Sequence, residues 1–62
     1  MTVRPARTIL LIDDSADDRA MLKRLIAEAR PEYRVLEVST GRAGLEAARA
    51  ERPDVVVSDY FL

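Results

Sequence analysis

The sequence predicts an α/β fold built on a parallel sheet. Two apolar runs, Thr8-Ile9-Leu10-Leu11-Ile12 and Val55-Val56-Val57-Ser58, each end abruptly in acid, at Asp13-Asp14 and at Asp59. Between them lie two stretches with helical spacing of apolar residues, separated by a short segment rich in strand formers. The resulting order, strand, helix, strand, helix, strand, is the pattern of a parallel sheet joined by right-handed crossovers.

The first run is continuous and rich in branched residues, without polar alternation. It suits a strand covered on both faces. Ser15 follows it as a helix cap, with Asp18 three residues later in a capping-box relation. Asp17 and Asp18 also match the positive N-terminal end of a helix. Leu22, Leu25, Ile26 and Ala29 recur at helical spacing and are expected to face the sheet, with Met21 as packing. Pro31 disfavours helical backbone at Arg30, which ends the helix there. Tyr33 to Val38 reads as a strand with Leu36 and Val38 on one face and Val35 and Glu37 on the other, more exposed and suited to a sheet edge. Ser39 or Thr40 caps a second helix from about Gly41 to Glu51, with Leu45 and Ala48 inward. Gly44 costs that helix about 1 kcal/mol against alanine unless close packing on the sheet requires the missing side chain. Arg52-Pro53-Asp54 breaks the helix, and Val55 opens the third strand.

With 62 residues there is room for one small domain. Residues 1–7 read as a leader and residues 8–62 as the folded unit. A hydrophobic fraction of 48% beside 34% charged residues describes a globular chain rather than a disordered one. The formal net charge of −1 gives no electrostatic case for a nucleic-acid or membrane surface. Ile9 to Ile12 is too short to span a bilayer or to serve as a signal core, so a cytoplasmic protein is expected. There is no cysteine and no histidine, which removes disulfides, thiolate sites and the commonest zinc ligand and general base. An oxygen-only site for a hard cation stays open.

In a parallel sheet, ligands bind beyond the carboxyl ends of the strands, where strand order reverses. If the first and third strands are neighbours, about 4.8 Å apart, Asp13, Asp14 and Asp59 converge there. Three such carboxylates repel, so one must take up a proton or they must share a cation. Magnesium suits them: it prefers oxygen, accepts one or two carboxylates, keeps several waters and coordinates substrate phosphate. Phosphoryl transfer depends mostly on positioning and charge stabilisation, so the lack of histidine is no obstacle to an aspartate nucleophile.

Ile9-Leu10-Leu11-Ile12-Asp13-Asp14-Ser15 and Pro53-Asp54-Val55-Val56-Val57-Ser58-Asp59 resemble the two N-proximal signatures of two-component response-regulator receiver domains. Ser39-Thr40-Gly41 with Ala43-Gly44-Leu45 resembles the segment between them. The resemblance covers nearly all of the chain after the leader. It implies a flavodoxin-like fold of strand order 2-1-3-4-5, of which residues 8–62 supply the N-terminal half, with order 2-1-3. It further implies that Asp59 accepts a phosphoryl group from the phosphohistidine of a sensor histidine kinase or phosphotransfer protein. Asp14 would ligate Mg2+ directly, Asp13 mainly through water, and the backbone carbonyl of Phe61 would add a ligand. Arg19, Lys23 and Arg24 read as a solvated helix face that in receivers helps to dock kinases, and Tyr33 as strand surface.

Receivers continue past this point with two more strands and three more helices. Those carry a serine or threonine, a phosphate-binding lysine and a switching aromatic that this sequence does not contain. Two functions are therefore carried forward. One is the phosphoacceptor domain of a response regulator, which is not an enzyme in its own right. The other is an interaction module that self-associates through the open edge of the third strand, or occupies a kinase surface without switching. A phosphohydrolase with an aspartate nucleophile is disfavoured, because Phe61 stands where such enzymes place a second acid.

Overall fold

The computed structural model describes residues 7–59. The leader, apart from Arg7, and Phe61 lie outside these residues. Five elements follow in order: β1 (Thr8–Ile12), α1 (Ala16–Ala29), β2 (Arg34–Val38), α2 (Gly41–Glu51) and β3 (Val55–Ser58). The strands form one parallel sheet in the order β2-β1-β3. This β-α-β-α-β unit with its 2-1-3 order is that of the first three strands of a flavodoxin-like fold.

β1 is central because it alone can be covered on every side. Leu10 and Leu11 are fully buried, and Ile9 is nearly so. Each full burial of this kind contributes about 2 kcal/mol. Its register runs Ile9, Leu10, Leu11 and Ile12 against Val35, Leu36, Glu37 and Val38 on one flank, and against Val55, Val56, Val57 and Ser58 on the other. In-register neighbours on parallel strands share a face. One face therefore carries Leu10, Ile12, Leu36 and Val38, and the other carries Ile9, Leu11, Val35 and Glu37.

The two helices sit on opposite faces. α2 covers the Ile12 face: Gly44 is its one buried residue, and a Cβ placed there would overlap Ile12 Cδ1 and stand 2.9 Å from Ile12 Cγ1. The close approach supplies the reason for a glycine inside this helix. α1 reaches the other face through Arg19 and Lys23, which pair with Glu37. That placement is what right-handed crossovers to opposite sides of β1 require.

Both helix starts are capped from the side chain. Ser15 Oγ accepts the N–H of Asp18 at 3.2 Å, and Thr40 Oγ1 accepts that of Ala43 at 3.1 Å. α2 ends at Arg52, whose backbone turns left-handed (φ 48°) and whose N–H bonds the Ala48 carbonyl. At the opposite end of the sheet, Thr8 N–H donates to Asp54 Oδ2 at 2.7 Å, fastening the start of β3 to the start of β1.

Several expected packing residues stay open to solvent. No residue of α1 is fully buried; Leu22 and Ile26 are half-buried, whereas Leu25 and Ala29 are exposed. Met21 on α1 and Leu45 on α2 are about half exposed as well. The spacing located the apolar stripe correctly, but a sheet of three strands is too narrow to cover all of it. Val55, Val56 and Val57 are exposed for the same reason, since among the described residues β3 pairs only with β1.

Gly44→Ala should lower stability by about 1 kcal/mol in urea unfolding, because the clash with Ile12 outweighs the gain in helix propensity. Ile12→Val, which removes Cδ1, should recover part of that loss when combined with it. An unchanged or raised midpoint in the Gly44→Ala single variant would show that Ile12 rotates away at little cost.

Candidate functional site

The acids gather at the carboxyl end of the sheet because β1 and β3 are adjacent and stop in step. Asp13 N–H bonds Val38 O at 3.1 Å and Asp59 N–H bonds Ile12 O at 3.2 Å, so the ladders run one residue past the strands and hold Asp13 against β2 and Asp59 against β1. Asp13, Asp14 and Asp59 each offer one carboxylate oxygen, and these three oxygens lie within 4.8 Å of one another. The three residues singled out from the sequence are thus brought together.

Their settings differ. Asp13 is buried, at 9% exposure, while Asp14 and Asp59 face solvent. Asp13 Oδ1 accepts the N–H of Ser15 at 2.8 Å. The expected capping box gave that N–H to a carboxylate three residues ahead. Here the acid two residues behind takes it, which closes an Asx turn and fixes the Asp13 side chain. Arg19 reaches back from the first turn of α1 and donates from Nη1 to the backbone carbonyl of Asp13 at 2.6 Å. Its Nε donates to Glu37 Oε1 at 3.1 Å, and Lys23 Nζ stands 3.3 Å from Glu37 Oε2. Arg19 was expected on a solvated face; its side chain is instead only 17% exposed.

Electrostatics separates Asp59 from its surroundings. The Asp59 carboxyl is pushed above the usual carboxylate range, first by partial desolvation and then by the charges of Asp13 and Asp14. The Glu37 carboxyl is pulled below its usual range, chiefly by its hydrogen bonds to Arg19 and Lys23. The described residues therefore include a carboxylate cluster that repels itself and, at Glu37, a carboxylate held between two cations.

The donor set fits a small hard cation. All three donors are oxygens, and around an ion with Mg–O distances of about 2.1 Å neighbouring ligands stand about 3 Å apart and opposed ones about 4.2 Å. Three oxygens within 4.8 Å of one another stand close to that range. The Phe61 carbonyl expected beside them lies outside the described residues. The sequence offered no sign of the Arg19 contact, because an arginine six residues after Asp13 has the spacing of any surface helix residue.

A raised carboxyl pKa in the folded state means that folding is favoured while Asp59 is protonated and penalised as pH rises through its folded pKa. Asp59→Asn should therefore raise the thermal midpoint at about pH 7, with the advantage shrinking as pH falls through the range in which the Asp59 carboxyl takes up its proton. Parallel wild-type and variant curves across that range would show that the repulsion is already relieved in the ion-free protein.

No family model matches the sequence, and no solved structure matches it. Among the described residues no helix is long and apolar enough to cross a membrane. Similarity does extend to two Cereibacter sphaeroides proteins, the protein-glutamate methylesterase/protein-glutamine glutaminase of group 3 operon and protein-glutamate methylesterase/protein-glutamine glutaminase 1. Each is 41% identical over 59 residues, 94% of this chain, and the chain spans about 16% of the length of either relative.

Proposed function

We propose that the chain is the phosphoacceptor portion of a two-component response-regulator receiver, with Asp59 as the acceptor. The observation that carries the reading is the convergence of three carboxylate oxygens within 4.8 Å at the ends of adjacent parallel strands. The 41% identity over nearly the whole chain is compatible with it, since the aligned stretch is only about 16% of either relative and need not carry the activities in their names. The esterase and glutaminase activities in the relatives' names are not assigned to this segment, which on this reading is not an enzyme in its own right.

In the reaction, an Asp59 carboxylate oxygen attacks the phosphorus of a phosphohistidine on a sensor kinase or phosphotransfer protein. The new bond is an acyl phosphate; the phosphorus–nitrogen bond breaks, and the imidazole leaves and takes a proton. Asp59 suits the role because it is exposed to a donor at the end of β3. Asp13 and Asp14, with Asp59, would hold Mg2+, and the Phe61 backbone carbonyl is proposed as a further ligand. The ion would offset the charge on the transferring phosphoryl oxygens. A cytoplasmic setting and the absence of a nucleic-acid partner belong to the same proposal.

A second reading has its own observation. Val56, one of the exposed valines of β3, borders an apolar groove of about 400 Å³ between β1, β3 and α2, lined also by Ile12, Gly44, Leu45 and Ala48. Among the described residues β3 pairs as a strand only with β1, and an open strand edge beside apolar surface invites another strand. An interaction module, including self-association through β3, would use that edge without phosphorylation.

Incubation of these residues within a chain of full receiver length with a small acyl phosphate and Mg2+ should give a base-labile label on Asp59, absent in Asp59→Asn. Label that survives in Asp59→Asn would move the chemistry elsewhere. Wild type left unlabelled by both the small donor and a histidine kinase, but self-associating in sedimentation, would favour the second reading. Asp14→Ala should weaken Mg2+ binding more than tenfold, whereas Ser15→Ala should change it little, as read by titration.

A further inference from the structure

Arg19 ties three parts of the molecule together. Its guanidinium donates from Nη1 to the Asp13 carbonyl at 2.6 Å and from Nε to Glu37 Oε1 at 3.1 Å, so it bridges α1, the turn after β1, and β2. The Asp13 carbonyl belongs to the peptide group that joins Asp13 to Asp14. Fixing that oxygen fixes the plane of the peptide, and with it the direction in which Asp14 leaves the backbone. The other polar groups of Asp13 are engaged too: its N–H by Val38 O, and one carboxylate oxygen by the Ser15 N–H. Arg19 supplies the remaining restraint, and it does so from a helix position rather than from the turn itself.

The chemistry of the pair explains why this residue is an arginine. Two acceptors lie in different directions, one a carboxylate and one a carbonyl. A planar guanidinium addresses both with separate N–H groups, whereas a lysine ammonium is a single point on a flexible stem. Glu37 offsets the positive charge that Arg19 would otherwise bring beside a cation site. Lys23 also pairs with Glu37, at 3.3 Å.

We infer that Arg19 is a positioning residue for the cation site, which holds the Asp13–Asp14 peptide so that both carboxylates face Asp59, with Glu37 as its neutralising anchor. The inference rests on the reading of Asp13, Asp14 and Asp59 as a Mg2+ site. Arg19 touches neither the ion nor the phosphoryl group; it acts through the peptide.

The test is Mg2+ titration of the full chain in wild type, Arg19→Lys, Glu37→Gln, Lys23→Gln and Asp14→Ala, with thermal unfolding of each variant recorded alongside. Arg19→Lys keeps the charge but loses the two-way bridge, and should weaken Mg2+ about tenfold, as loss of a partner behind a ligand commonly does. Glu37→Gln should weaken it by less. Lys23→Gln, which removes a cation from the same carboxylate without touching Asp13, should stay within about twofold of wild type, a contrast that a general stabilising role for the cluster would not produce. Equal affinity in wild type and Arg19→Lys, or an equal loss in Lys23→Gln, would overturn the inference while leaving the site intact. An affinity unmoved by Asp14→Ala would remove the site itself and the inference with it. If Arg19→Lys does not fold, Glu37→Gln decides: a loss of Mg2+ affinity supports the bridge, and wild-type affinity refutes it.

Discussion

Everything in this small fold depends on the burial of β1. Leu10 and Leu11 are wholly excluded from water, and only a strand with a neighbour on each side and a helix over each face can achieve that. Once β1 is central and both crossovers are right-handed, β2 and β3 must flank it, and α1 and α2 must lie on opposite sides. The positions of the acids follow without further adjustment. Asp13 and Asp14 cannot enter the sheet with the apolar run that precedes them, and Asp59 stops beside them because β3 is in register with β1. Apolar burial thus does the work of assembling a cluster of like charges that would never gather unaided.

The sequence made the strands and the site legible for the same reason: abrupt changes from apolar to acidic residues mark both a strand's end and a candidate ligand. Gly44 was also legible, as a helix glycine in need of a packing partner, and Ile12 is that partner. Depth of burial was not. Leu25 and Leu45 have the right spacing to face inward, yet half of each remains in water, because periodicity gives direction and not the width of the surface opposite. Nor could the sequence reveal that the Ser15 N–H turns back to Asp13 rather than ahead to Asp18, since both acids stand within reach of it.

Two carboxylates on the same small surface show how environment divides one functional group into two roles. Glu37 is drawn toward its charged form by two cations and stays fixed, a structural anion. Asp59 is pressed toward its neutral form by desolvation and then by the nearby acids, so loss of negative charge around it relieves it. Arg19 links the two regions: it takes up charge at Glu37 and delivers only a hydrogen bond to the Asp13 carbonyl. The guanidinium charge is thus met at Glu37 and not by the acids at the end of the sheet.

The end of α2 carries a consequence of another kind. Arg52 occupies left-handed backbone, where a side chain brings its Cβ close to a carbonyl, and Pro53 directly follows it. What the fold asks of position 52 is a backbone shape, not an arginine. As related sequences diverge, this position should drift toward glycine or asparagine, the residues that adopt that shape most easily, while Thr40 at the other end of the same helix stays confined to residues able to accept a hydrogen bond. One helix would thus bear two unlike evolutionary signatures, one written by conformation and the other by chemistry.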